Sequence, residues 1–441
     1  MHWEQKIRYA ALSDIGFRRQ NNEDACAVHL CPDRETWNQR GHLFVVADGM
    51  GGHAVGELAS KIAVDTVPHT LDKLRQLAPA EALRASIEHA NTAIHKRGTE
   101  NHDFLHMGTT CTTLLLCSQG AIVGNVGDSR VYRIRQRHIE QLSRDHSLIW
   151  ETMEQRNMSQ RDAEQFCPRN IITRSLGPEA VVQIDILGPF PVLPSDVFIL
   201  CSDGLSGQLS DTEIGIIAGH LSPVEASRLL VNLANLRGGA DNITVIVTSV
   251  GEPATDTAVA DSDGVEDRGE TGLKIATYGL LSAGIVGGLS VAAFVAQQPT
   301  FAWSLLAGST FAGIFWMLRT SFRHHDKRKQ DRTPNLPIVS TSQPTRISPA
   351  KVTAQFIQYL VKLESELHQT ALNQGWSIPW DDYERIFPAV KQAMNDRQYS
   401  VALLEYSRIF EILMVGVFQQ RQQSQHQTRW SKENHSDPKA G

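Results

Sequence analysis

Five acidic sites stand beside short apolar runs in the first 250 residues, and this recurrence constrains the chain more than any other feature. Asp48, Asp128 and Asp203 each follow an apolar run, Asp241 precedes one, and Glu23-Asp24 follow the stretch GFRRQNN. A single Asp-Gly after a strand is usually only a turn. Five such sites in one chain are hard to obtain by chance, so together they indicate a functional cluster.

The apolar runs themselves predict β-strands. They occupy residues 42–47, 111–117, 121–126, 131–134, 181–186, 197–201 and 243–250. Two stretches between them, 57–67 and 81–96, have helical spacing instead. Because the strands are grouped apart from the helices, residues 1–250 are expected to form an α+β layered sandwich rather than a wound βαβ sheet.

Aspartates at strand ends beside glycines suit one kind of chemistry. Hydrolysis of a phosphomonoester by water requires that the charge of the phosphate be neutralised and that a water become nucleophilic at neutral pH. Two metal ions about 3.5–4 Å apart do both. Mg²⁺ and Mn²⁺ prefer carboxylate and carbonyl oxygens, so the acidic sites predict a centre for two divalent cations.

Several stretches resemble the motifs of one family, the metal-dependent protein phosphatases of the 2C type in their bacterial form. They are SDIGFRRQNNEDA, VADGMGGHAVGELAS, GTTCTTLLL, GNVGDSRVYRI, SRDHS, ITRSLG, LCSDGL and ADNITVIV. The resemblance covers roughly residues 7–250. It implies a four-layer α-β-β-α sandwich that hydrolyses phosphoserine and phosphothreonine on proteins.

The resemblance also implies a ligand set for two Mn²⁺ or Mg²⁺ ions, without choosing between these metals. In that set Asp48 bridges both ions and the Gly49 carbonyl binds one of them. Asp203 and Asp241 complete the ligands of the other ion. Asp128, together with Asp203, matches a third and weaker metal site of bacterial members.

Five further side chains receive roles from the same resemblance. Glu23 and Asp24 hold metal-bound waters, although Glu23 could equally be a structural carboxylate. Arg19 binds the substrate phosphate, for which a forked guanidinium is suited; its alternative is a surface ion pair. His53 is a candidate general acid, but its register differs from that of the family's histidine, which favours a local structural role. His146 is expected to support the site rather than to react.

A charged segment between His146 and Ile171, SLIWETMEQRNMSQRDAEQFCPRN, occupies the place of a flap beside the active site in the family. The alternative interpretation is a solvated pair of helices. As a flap it would influence the choice of substrate more than the chemistry.

Residues 251–274 are acidic and poor in large apolar residues, which predicts a flexible linker. Residues 275–296 and 301–318 follow without a single charge, and each run is long enough to cross a hydrocarbon core of about 30 Å. With four residues between them they predict a transmembrane hairpin at 275–318, and a buried core hairpin is the alternative. The basic residues of 319–332 place that end in the cytoplasm.

The remainder of the chain predicts a basic and then Pro/Ser/Thr-rich linker at 319–347, a helical C-terminal unit at 348–420, and a polar tail at 421–441. Ser348-Pro349 is a good start signal for the first helix. Further helices are expected at 380–394 and 399–418, with Pro388 able to kink or split the former. The unit shows no catalytic constellation and could bind a protein partner or self-associate.

These patterns predict a two-pass protein of the inner membrane whose phosphatase domain and C-terminus are cytoplasmic. Scattered cysteines without a CxxC pair fit that reducing compartment, and a net charge of −6 gives no reason to expect nucleic-acid binding. The expected partners are Ser/Thr-phosphorylated proteins, including a Ser/Thr kinase. Three alternatives stay open: a phosphatase of one dedicated partner, a phosphoprotein-binding module without turnover, and a scaffold formed by the C-terminal helices.

Overall fold

Two antiparallel β-sheets packed face to face form the centre of the molecule. The computed structural model describes residues 7–52, 54–104, 107–156, 158–168, 171–251 and 344–435. Between the sheets, Phe44 and Leu114 from one meet Phe198 and Ile246 from the other, and all four side chains are fully buried. Burial of each such side chain is worth about 1.5–3 kcal/mol, so these residues fix which face of each strand points inward.

The first sheet has six strands. In spatial order they are β1 (Ile7–Asp14), β11 (Ile243–Val250), β10 (Val197–Cys201), β7 (Arg130–Arg135), β8 (His138–Gln141) and β12 (Arg346–Pro349). Neighbouring strands are antiparallel throughout, and β12 is added at the edge with Arg346 opposite Gln141. A strand from the C-terminal part of the chain therefore completes this sheet.

The second sheet carries much of the candidate site. Its strands, in spatial order, are β2 (Asp24–His29), β3 (His42–Met50), β5 (Cys111–Cys117), β6 (Gly120–Val126) and β9 (Asp185–Phe190), and the short β4 (Gly108–Thr109) pairs with the end of β3. β5 and β6 are buried along their whole length. Their continuous apolar runs are typical of strands covered on both faces.

Helices cover the outer face of each sheet. α2 (Ala54–Lys73) and α3 (Pro79–Glu100) pack on the second sheet, and α7 (Asp211–His220) and α8 (Pro223–Leu236) pack on the first. The predicted order of layers, α-β-β-α, is confirmed. Shorter helices lie in the connections: α1 (Arg34–Gln39), α4 (Leu148–Arg156), α5 (Gln160–Phe166) and α6 (Asp203–Ser206).

Three C-terminal helices extend the layer over the first sheet. They are α9 (Ala354–Gln374), α10 (Trp380–Asn395) and α11 (Tyr399–His435). α11 packs along α8, where Arg228 pairs with Glu411 at 3.2 Å, and Phe410 is fully buried in the core that both helices share. The described residues before 252 and after 343 thus belong to one compact unit.

Three boundaries predicted from the sequence are wrong. The last helix, predicted to end at 418, continues as α11 to His435. The strand predicted at 181–186 begins later, as β9, and the side chain of Val181 is exposed. Ser348-Pro349, predicted to start a helix, lie in β12 instead. The helix begins at Ala354, where the hydroxyl of Thr353 accepts a backbone N–H of the first turn. The edge position of β12 tolerates Pro349 because no further strand needs its missing N–H.

The predicted membrane hairpin, residues 275–296 and 301–318, lies outside the described residues, as does the linker before it. Among the helices that the structure describes, none combines the length and the apolar composition needed to cross a bilayer. The hairpin therefore stays a prediction.

Candidate metal centre

Carboxylates from both sheets meet at one end of the sandwich. Asp24 on β2 and Asp48 on β3 lie directly opposite each other across the antiparallel pair. Asp24 is buried and accepts a hydrogen bond from the Ser202 hydroxyl at 2.7 Å, which ties β2 to the end of β10. Like charges in facing positions are unfavourable without compensation, so this arrangement calls for a cation.

Asp203 and Asp241 bring two more carboxylates to the same place. Asp203 follows the end of β10, and burial together with the negative charge of Asp241 raises its pKa. Asp241 precedes β11 and pairs with Arg19, whose guanidinium lies 2.8 Å from the carboxylate. Strand ends that are far apart in the sequence therefore converge here, as the five acidic sites predicted.

Burial and mutual repulsion raise the pKa values of Asp24, Asp48, Asp128 and Asp203. Burial raises the pKa of Asp24 to about 7 and that of Asp128 to about 8. The pKa of Asp48 is raised well above its usual range by burial and by the charges of Asp24 and Asp203. One oxygen of Asp128 is also buried without a hydrogen-bond partner among the described residues. Carboxylates that lack counter-charge in this way fit a site for hard divalent cations.

The backbone at the site leaves no room for a side chain at two glycines. A Cβ on Gly49 would lie 2.2 Å from the Gly56 carbonyl oxygen, and one on Gly16 would lie 2.0 Å from the Asp241 carbonyl oxygen. Gly16 also has φ near +75°, a conformation that favours glycine. The backbone is therefore tightly packed at these two positions, one next to Asp48 in the chain and the other against Asp241.

Within the described part of the chain, no three His, Cys, Asp or Glu side chains already form a group that could hold an ion by themselves. The carboxylate of Asp241 is engaged by Arg19 in this arrangement. This is compatible with Mg²⁺ or Mn²⁺, because such ions keep several waters among their ligands. The chemistry of the donor set therefore fits these cations.

Asn242 is a supporting residue that the sequence analysis missed. Its side-chain oxygen accepts the backbone N–H of Glu23 at 2.8 Å, and its amide nitrogen donates to the carbonyls of Ile15 and Asn21 at 3.0 and 2.9 Å. Asn242 therefore holds both ends of the loop that carries Arg19. The signal available in the sequence was its position beside Asp241 and before an apolar strand.

His146 supports the loop that carries Asp128. It is buried, its Nδ1 accepts the backbone N–H of Gly127 at 3.1 Å, and its Nε2 lies 3.2 Å from a carboxylate oxygen of Asp185. Nδ1 therefore acts as an acceptor, and the Arg174 guanidinium lies 3.3 Å from Nε2 on the same side as Asp185. This is the supporting role expected of His146. His53 lies outside the described residues, and the buried carboxylate of Glu23 lies against Gly56.

A cavity of about 300 Å³ opens beside the acids, with Asp128, Asp203 and Asp241 in one wall. The segment predicted as a flap forms the helices α4 and α5, and Trp150 of α4 also lines the cavity. Arg346 of β12 also lines the cavity, with its guanidinium 5.5 Å from the Trp150 ring centre. The C-terminal part of the chain therefore contributes a side chain to this cleft, which the sequence analysis did not foresee.

Comparison with known proteins gives a consistent result. The family model described as Protein phosphatase 2C matches residues 18–233. Serine/threonine phosphatase stp of Listeria welshimeri is 34% identical over 240 residues, which are 53% of this chain and 92% of that protein. Protein phosphatase PhpP of Streptococcus pneumoniae is 34% identical over 256 residues, 56% of this chain and 98% of that protein.

Among solved structures, the catalytic domain of the serine/threonine protein phosphatase PstP in complex with two manganese ions is 31% identical. The match covers 56% of this chain and 99% of that one, with a TM-score of 0.48.

Proposed function

Because this chain belongs to the protein phosphatase 2C family, and is therefore a serine/threonine protein phosphatase, we propose that it hydrolyses phosphoserine and phosphothreonine esters of proteins at the acidic centre. The observation that carries the proposal is the convergence of Asp24, Asp48, Asp203 and Asp241 at one end of the two sheets.

The residues of the site can each be given a role in binding a cation or orienting water. Asp48 and the Gly49 carbonyl would hold one divalent cation, and Asp48, Asp203 and Asp241 the other. Two such ions, when bound, neutralise the phosphate and lower the pKa of a water to make it a nucleophile. Asp24 accepts a hydrogen bond from the Ser202 hydroxyl and lies opposite Asp48 on the neighbouring strand, so it would orient water in the site.

Asp128, Glu23 and Arg19 would have roles around the two cations. Asp128 and Asp203 both line the cleft, where they would hold a third, weaker cation. Glu23, whose carboxylate lies against Gly56, would be a further water-orienting group. Arg19 is nearly half exposed and pairs with Asp241, so its guanidinium is accessible and would bind the substrate phosphate in a two-pronged contact.

The purified full-length protein should release phosphate from a phosphothreonine peptide when Mn²⁺ or Mg²⁺ is present and should lose this activity in EDTA. The physical reason is that the charges of Asp24, Asp48 and Asp203 repel one another and a bound cation offsets this repulsion. A colorimetric phosphate assay measures the effect, and re-addition of Mn²⁺ after dialysis should restore turnover. Full activity in EDTA would overturn the metal mechanism. Tight binding of the peptide without release would instead favour a phosphoprotein-binding module.

We also propose that the enzyme is tethered to the cytoplasmic face of the inner membrane, where it opposes Ser/Thr kinases. Two uncharged runs and the basic flank at 319–332 support this. The fold supports an even number of crossings, because residues before 252 and after 343 belong to one compact unit and must lie on the same side.

The tether can be tested with reporter fusions in the full chain. Alkaline phosphatase inserted at residues 297–300 should be active, since that turn would lie outside the cytoplasm, whereas the same enzyme fused after Leu318 should be inactive. A variant lacking 275–318 serves as the control and should move from the membrane fraction to the soluble fraction. Recovery of the intact chain in the soluble fraction would show that the two runs form a core hairpin instead.

A further inference from the structure

The last helix, α11, reaches across the molecule to the loop that carries Arg19. The ring of Phe418 meets the ring of Phe17 edge to face, with the centroids 5.8 Å apart. Arg421, one turn further along α11, places its guanidinium 4.8 Å from the centre of the Phe17 ring and donates a hydrogen bond to the Gly16 carbonyl. Two side chains of the C-terminal helix therefore hold two successive residues of the loop.

The opposite side of this loop rests on the segment that carries Asp241. The backbone N–H groups of Phe17 and Arg18 both donate to the Gly239 carbonyl, at 2.7 and 3.0 Å. Gly16 is in contact with the Asp241 carbonyl, as described above. Residues 16–18 are thus enclosed between α11 and the strand end that bears a candidate metal ligand, and Arg19 is the next residue along the chain.

α11 is itself firmly placed, so it can act as a fixed support. Its residues Phe410 and Leu413 are fully buried in the core shared with α8, and Glu411 pairs with Arg228 of α8. Displacement of Arg421 or Phe418 therefore requires rearrangement of a packed core, whereas Arg19 is nearly half exposed and is restrained by its loop and by its pair with Asp241.

We propose that Arg421 and Phe418 are positioning residues, which hold Gly16 and Phe17 so that Arg19 meets the substrate phosphate. The inference rests on the proposed function of Arg19. It assigns part of the phosphate-binding apparatus to a helix that lies beyond residue 233, where the family match ends. Neither side chain needs to touch the substrate, because both act through the backbone and ring of the loop.

The test is Arg421→Ala in the full chain. We expect the KM for a phosphothreonine peptide to rise about three- to tenfold, the effect of one or two lost hydrogen bonds, with kcat nearly unchanged. The inhibition constant of inorganic phosphate should rise by the same factor. Arg421→Lys should restore part of the loss, because an ammonium can still donate to the Gly16 carbonyl. Arg408→Ala removes an arginine of the same helix that pairs with Glu405, and should leave KM unchanged.

A double-mutant cycle separates positioning from general destabilisation. Arg19→Ala alone should lower the specificity constant about tenfold to a hundredfold. If Arg421 acts through Arg19, Arg421→Ala should add little in that background. If Arg421→Ala lowered the specificity constant by the same factor with and without Arg19, or lowered kcat at constant KM, the proposal would be overturned.

Two further measurements keep the test decisive. Phe418→Leu offers a second variant if Arg421→Ala does not fold, and it should also raise KM, because it removes the edge-to-face contact with Phe17. Calorimetric titration of inorganic phosphate into the Mn²⁺-loaded protein reports phosphate affinity without turnover. A wild-type protein that binds phosphate but hydrolyses no phosphopeptide would contradict the proposed function alone, whereas equal phosphate affinity of wild type and Arg421→Ala would contradict the positioning role.

Discussion

Replacement of Asp48 by asparagine should lower turnover by at least about a thousandfold while leaving the fold intact. Loss of a residue that only supports a metal ligand typically lowers metal affinity or activity about 10- to 100-fold. Asp48 lies within the cluster itself, facing both Asp24 and Asp203, so its loss should have a larger effect. An asparagine of the same shape keeps the backbone bonds to Thr110. Phosphate release from a phosphothreonine peptide at saturating Mn²⁺ measures the loss.

Thermal unfolding of the same variant supplies an independent reading. The raised pKa of Asp48 means that the folded state favours its protonated form, so the ionised carboxylate destabilises the metal-free fold at neutral pH. In EDTA, Asp48→Asn should therefore unfold at the same temperature as wild type or higher. Mn²⁺ should raise the unfolding temperature of wild type clearly more than that of the variant.

The control for this experiment is Asp65→Asn, which changes an exposed aspartate paired with Lys61 on α2. It should leave both turnover and the response to Mn²⁺ unchanged. Retention of a tenth or more of wild-type turnover by Asp48→Asn would remove this residue from the centre of the mechanism.

A chain truncated after residue 254 should be much less stable than the full protein. Truncation removes β12 from the edge of β8 and uncovers the outer faces of α7 and α8. If two or three large apolar side chains lose their cover at about 1.5–3 kcal/mol each, the loss is about 5 kcal/mol. That is a large share of the roughly 5–15 kcal/mol that stabilises a domain. The unfolding temperature should fall by about 10–20 °C, or the fragment should aggregate.

Differential scanning calorimetry of the two proteins checks the prediction. The matched control replaces residues 255–337 by a flexible Gly/Ser linker of similar length, which keeps the compact unit of 1–254 and 338–441 complete. It should unfold close to the temperature of the full chain. Equal stability of the truncated and the full protein would show that the C-terminal helices are an independent attachment.

The sequence was sufficient for those features that local patterns determine. The five acidic sites could be singled out because each stands beside an apolar run, and a layered sandwich followed from the grouping of strands apart from helices. The roles of Asp48, Asp203 and Asp241 as metal ligands came from the resemblance to the phosphatase family. His146 could be recognised only as a supporting residue, because its partners Gly127 and Asp185 are distant in the chain.

The features that were missed depend on contacts between distant segments. The stretch RISP carries a proline and a serine that are typical of a helix start, and it becomes a strand because the edge of β8 offers it a partner. Arg346 beside Trp150, and Arg421 over Phe17, likewise join residues that no local pattern connects. At these positions tertiary packing overrides the local conformational preference of the sequence.

The sheet edge formed by β12 also has a consequence for synthesis. β8 and its neighbours leave the ribosome long before Arg346, and at roughly 5–20 residues per second the intervening chain takes on the order of ten seconds to emerge. During that interval β8 is an unpaired edge strand, and such edges invite pairing with other chains. A newly made molecule is therefore most open to aggregation, and to capture by a chaperone, just before its last hundred residues appear.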